Sequence, residues 1–138
     1  QILDYDLVTQ LKDEMNKLKV FRAYYNPTFA PPSTQTQKTN ILGQKEAPNL
    51  REALNTIRAD IRYFKWRNGV VGHTTIIFAA NEHHAACTHH TSSLTTSQDL
   101  LNAIQNHDNN QASLPPSLVY GTAAILEGCS FLMATGTP

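Results

Sequence analysis

The sequence predicts an α/β fold: the back half of a doubly wound parallel sheet with its flanking helices. Three observations predict it. Leu50, Leu54, Ile57, Ile61 and Phe64 step by four, three, four and three, which is one stripe of a helix. Thr74 to Ala80 reads Thr-Thr-Ile-Ile-Phe-Ala-Ala, an unbroken apolar and β-branched run of the kind that forms a strand buried on both faces of a parallel sheet. A helix opened by Pro115-Pro116-Ser117 closes at Gly128 and passes at once into a second short apolar strand, Ser130 to Met133. Two strands separated by helices imply a parallel crossover.

The elements follow in order. Residues 4 to 18 form a helix, with Asp4 as cap and Leu7, Leu11, Met15 and Leu18 on one face. Residues 24 to 48 hold Pro27, Pro31, Pro32, Gly43 and Pro48 around a polar run, and read as a long loop. The second helix starts at the N-cap Asn49 and stops at Asn68-Gly69. Arg51, Glu52, Asn55, Arg58, Arg62 and Lys65 cover the side opposite its apolar stripe, and Lys65 and Arg67 suit the helix dipole. The strand 74 to 80 is followed by a polar stretch, Asn81 to Ser93. A short helix spans about 96 to 106, capped by Thr96 or Ser97 with Asp99 in its first turn. The last helix has an apolar side that includes Leu118, Ile125 and Leu126. No internal repeat is visible.

Bulk properties remove several function classes. At 138 residues the chain is one domain by length. Its net charge of zero gives no electrostatic footprint for nucleic acid or an anionic membrane, and its apolar runs are too short to span a bilayer. No signal peptide opens it, and Gln1 in place of Met suggests processing or truncation. Two cysteines, Cys87 and Cys129, carry no pairing signal, so a reduced cytosolic setting is expected.

Several groups invite a chemical reading. His83, His84, Cys87, His89 and His90 share one loop, which suggests zinc or copper. The spacing is not a paired metal signature and only one cysteine contributes, so a solvated loop is the reading kept and no metal is assigned. Asn81 lies just past the carboxyl end of a buried strand, where open α/β sheets bind ligands; an asparagine turning the chain at a strand end is the alternative. The row Arg58, Arg62 and Lys65 suits a phosphate, or simply the solvated face of an amphipathic helix. Trp66 marks a surface contact or packs on the loop below it. Cys129 fits a small core position. Ser92, Ser97 and the histidines form no nucleophile triad.

Beyond these local signals, the chain resembles the inositol-3-phosphate synthase (myo-inositol-1-phosphate synthase) family, of which it looks like a central segment. Gln1 to Leu7 resembles the family's Q-V-L-E-Y-D-L, and Tyr24 to Ala30 its Y-x-P-x-F-I-A. Ile57 to Lys65 resembles I-R-R-D-I-x-x-F-K, Ile76 to Asn81 resembles V-L-W-T-A-N, and Ala124 to Leu132 resembles A-S-I-L-E-G-C-x-F-L. Order and spacing agree along essentially the whole chain. The resemblance implies a partial Rossmann-like NAD-binding domain over residues 1–138. It also implies an NAD-dependent isomerase, generally cytoplasmic and oligomeric, that converts glucose 6-phosphate to myo-inositol phosphate.

The family's cofactor loop T-A-N-T-E-R reads here Ala79-Ala80-Asn81-Glu82-His83-His84, which leaves Ala80 and Asn81 as the surviving cofactor-binding positions. The family's N-G-S-P-Q-N-T reads Met133 to Pro138 here and loses its asparagines and glutamine. The glycine-rich phosphate turn precedes Gln1 in the family, and the lysine-rich catalytic half follows Pro138. No catalytic residue is therefore assigned, and the 138 residues alone are expected not to catalyse the reaction. Two readings stand. The chain is a segment of such an enzyme, or it is a degenerate, non-catalytic paralogue acting as a structural or interaction subunit. In both, the partner expected is whatever covers the open sheet: the remainder of the enzyme or another protein, in a homo- or hetero-oligomer.

Overall fold

The computed structural model describes residues 5–30, 40–42, 49–82, 94–105 and 114–134. In order these form α1 (Tyr5–Lys17), a 3-10 turn (Pro27–Phe29), α2 (Leu50–Arg67), β1 (Thr75–Phe78), α3 (Ser97–Gln105), α4 (Pro116–Leu126) and β2 (Ser130–Met133). β1 and β2 pair in parallel, with Ile76 opposite Phe131 and Phe78 opposite Met133, so the helical connection is the expected crossover.

The caps explain where the helices begin and end. The Asn49 side chain accepts the Glu52 N–H at 2.9 Å, and Gly69 adopts a φ of +58° just past α2, a left-handed conformation that glycine tolerates without strain. At α3 the Thr96 hydroxyl accepts the Asp99 N–H at 3.1 Å while the Asp99 carboxylate accepts the Thr96 N–H at 2.9 Å, a reciprocal capping box. Those bonds hold the Asp99 carboxyl below its ordinary value, those from Thr96 first.

The core gathers Leu50, Leu54 and Ile57 of α2, Ile104 of α3, Leu114, and Val119 and Ala123 of α4. Burying this apolar surface is the main stabilising term, at roughly 25 cal/mol per Å². Ile61 packs partly against the core, whereas Phe64, at the far end of the same stripe, is 45% exposed.

Two expectations change. The strands are not buried on both faces. Ile77 is 63% and Leu132 52% exposed, because the helices of the described residues cover one face of a two-stranded sheet and leave the other open. Of the expected apolar side of α4, Leu118 packs partly against the core, but Ile125 is 74% and Leu126 44% exposed; the buried residues of the helix are Val119, Gly121, Thr122, Ala123 and Ala124. α4 is apolar nearly all round, so periodicity cannot select its inner face; the small residues bring it close to β2, where a Cβ on Gly121 would lie 3.4 Å from the Phe131 ring. The apolar stripe of α1 also remains accessible, with Leu11 and Met15 both exposed. Asp4, and most of the loop expected over 24 to 48, lie outside the described residues.

Candidate ligand cleft at the carboxyl end of β1

Ala79 to Glu82 leave the carboxyl end of β1 and form one wall of a cleft of about 550 Å³. Residues 23–26, Phe29 and Ala30 form the facing wall, and Pro116 and Tyr120 of α4 the floor. The sheet alone would not hold this shape. The Tyr24 N–H donates to the Tyr120 hydroxyl oxygen at 3.1 Å, and the Asn26 carboxamide donates to the Tyr24 hydroxyl at 3.4 Å. Asn26 also caps the 3-10 turn by accepting the Thr28 N–H at 3.0 Å, which seats the buried Phe29. Burial raises the Tyr24 phenol, partly offset by Asn26. Burial likewise raises Tyr120; the Tyr24 N–H works against this and the Asp60 charge adds to it. Both phenols therefore stay neutral at physiological pH and serve as hydrogen-bonding groups.

Ala80 and Asn81 line this cleft and both are exposed. Glu82 turns inward instead. Its carboxylate accepts the Ser117 N–H at 2.7 Å and the Ser117 hydroxyl, which ties the end of β1 to the start of α4. Sequence reasoning missed this contact. The one signal was that α4 opens on Pro115, which offers no capping side chain, so an acceptor from elsewhere was required.

The basic row of α2 engages Glu127, with Arg62 remaining exposed. Arg58 Nε meets Glu127 Oε1 at 2.7 Å, Arg62 Nε meets Oε2 at 3.0 Å, and Lys65 Nζ donates to the Glu127 carbonyl at 2.7 Å. Burial alone would raise the Glu127 carboxyl. The hydrogen bonds and charges of Arg58 and Arg62 outweigh that and hold it below its ordinary value. These contacts clamp the carboxyl end of α4 to α2 and so aim β2.

A second, mainly apolar cleft of about 310 Å³ lies along the start of β1, between α2 and residues 21–23, with Asp60 among its lining. Burial raises the Asp60 carboxyl, and Lys19 partly offsets it. At the amino ends of the strands an exposed His73 Nε2 lies 2.6 Å from Ser130 Oγ, on the side away from the ligand cleft. Trp66 is exposed and touches Tyr63, with ring centroids 5.8 Å apart; Cys129 is buried, as a core position requires. The metal reading of residues 83–90 falls outside the described residues, as do Ser92 and residues 135–138. Among the described residues no three His, Cys, Asp or Glu side chains gather to hold a metal, and no helix is long and apolar enough to cross a membrane.

A parallel strand pair with a helical crossover and a cleft at the carboxyl end of β1 is the Rossmann-like class of α/β protein. The fold agrees with a solved inositol-3-phosphate synthase from Caenorhabditis elegans at a TM-score of 0.74, over 94% of this chain and 24% of that one, with 22% identity. A family model for an NAD-binding domain, described as myo-inositol-1-phosphate synthase, matches residues 1–138. The chain belongs to that family. Its relatives include inositol-3-phosphate synthase of Trypanosoma brucei brucei, 30% identical over 96% of this chain and 24% of that protein. The enzyme of Drosophila melanogaster is 28% identical over 100% of this chain and 22% of that protein. The chain thus spans about a quarter of the length of the curated relatives it matches.

Proposed function

We propose that this chain supplies part of the NAD-contacting crevice of an inositol-3-phosphate synthase, an isomerase that forms myo-inositol phosphate from glucose 6-phosphate. The observation that carries it is the position of Ala80 and Asn81: exposed, on the ligand side of a parallel sheet, and lining a cleft with a hydrogen-bonded far wall. Asn81 offers a carboxamide with two donors and one acceptor, suited to the hydroxyl or amide groups of a nucleotide, and Ala80 leaves room for close approach. Bound NAD would supply the hydride exchange of the family reaction. The chain's own part is to hold and orient the cofactor. A cytoplasmic setting and association with the remaining parts of the enzyme belong to the same proposal. The test is titration of NAD into the isotope-labelled chain. Shifts at Ala80 and Asn81 that Asn81→Ala abolishes support it, and an unchanged spectrum at millimolar NAD sinks it.

The exposed Ile77 and Leu132, paired on the open face of the sheet, favour a second reading, a non-catalytic subunit whose open sheet is covered by another protein. A monodisperse monomer at high concentration that captures no partner would end that reading.

A further inference from the structure

Helix starts on the ligand side of an α/β sheet ordinarily present free N–H groups that attract phosphate. At α4 none remains. Pro116 has no N–H. The Ser117 N–H and hydroxyl both donate to the Glu82 carboxylate. The N–H groups of Leu118 and Val119 both reach the Pro115 carbonyl, at 3.0 and 3.2 Å. Pro115 itself provides no side-chain cap, so the anion at this helix start is Glu82, which lies on the wall of the ligand cleft beside Asn81.

We propose that Glu82 is a specificity-determining residue: an internal anion that fixes the turn after β1 and closes the start of α4 to phosphate. A ligand phosphate brought there finds no free donor and meets a like charge. The cleft then selects an uncharged portion of its ligand, a ribose or a base edge, and the phosphates of a dinucleotide must lie elsewhere. Naming the ligand as a nucleotide rests on the proposed function; the closure of the helix start does not.

The probe is inorganic phosphate, titrated at constant ionic strength into the isotope-labelled chain and into Glu82→Thr, which places the family's threonine at this position. The Ser117 amide of the parent chain is expected to stay unmoved. In Glu82→Thr it should shift, with phosphate bound at least tenfold more tightly. A phosphate-induced shift at Ser117 in the parent, or a folded Glu82→Thr that responds no more than the parent, overturns the proposal. If Glu82→Thr does not fold, Glu82→Gln takes its place: it removes the charge and keeps an acceptor for Ser117, and a folded Glu82→Gln that responds to phosphate no more than the parent overturns the proposal. NAD titration of the parent, read at Asn81, separates the two claims: silence there removes the cofactor reading and leaves the phosphate result in force.

Discussion

Glu127 shows how much one side chain can organise. Its carboxylate, 11% exposed, takes a guanidinium on each oxygen while its backbone carbonyl takes Lys65. Glu127→Ala should cost about 1–2 kcal/mol, between the limits for exposed and fully buried ion pairs, because Arg58 and Arg62 keep partial access to water. Chemical denaturation of parent and variant measures it. The group's folded pKa is lowered, so its contribution is present above the ordinary 4.5 and is lost as pH falls through the depressed value. The acid limb of a stability–pH curve should therefore be flatter in Glu127→Ala. Tyr120 acts similarly at the cleft. Tyr120→Phe removes the acceptor for the part-buried Tyr24 N–H and should cost about 1–2 kcal/mol. Hydrogen exchange would show the loss as faster exchange at Tyr24, while the core amides of α2 keep their protection.

At the scale of elements, α4 is the piece that joins everything: it packs on α2, β1 and β2, and its start floors the cleft. Gly121 permits its approach to Phe131. Gly121→Val should destabilise by roughly 1–3 kcal/mol through overpacking. Gly121→Ala should lie near zero, because a helix gain of about 1 kcal/mol offsets a tight but ordinary contact. Thermal melts of both variants check the contrast, and equal melting points would mean that Phe131 simply moves aside. The caps of α2 and α3 were legible in the sequence, since Asn49, Thr96 and Asp99 act on neighbours within one turn. The inner face of α4 was not, because an all-apolar helix carries no period to read. The role of Arg58, Arg62 and Lys65 was hidden for the same kind of reason: their partner lies more than 60 residues away along the chain.

At the scale of the whole molecule, the dominant feature is the sheet face that the described helices leave open. Ile77 and Leu132 project from it with about half or more of their surface in water. Ile77→Lys together with Leu132→Lys should leave stability within about 0.5 kcal/mol, as exposed substitutions usually do. The pair should also suppress any concentration-dependent association. Light scattering across a dilution series reads the second effect; association that persists unchanged would place the contact on another surface, such as the accessible stripe of α1. The candidate site was legible only in part. Ala80 and Asn81 were named from a strand end and a family loop, and the structure shows of them that both line the cleft. The facing wall, the Tyr24–Tyr120 bond and the Glu82 cap were not, because each joins segments that the sequence keeps far apart.

The sequence by itself determined the helices, their stops, the two strands and their parallel crossover. The helices and strands follow from periodicity and capping residues, which act over a few residues, and the crossover follows from the rule that strands joined through helices pair in parallel. Only the tertiary structure decided that the described helices leave one face of the sheet open, that three basic residues serve one glutamate, and that the start of α4 is closed by a carboxylate rather than offered to a ligand. Such outcomes depend on which surfaces meet when the chain closes on itself, and no local pattern carries that information.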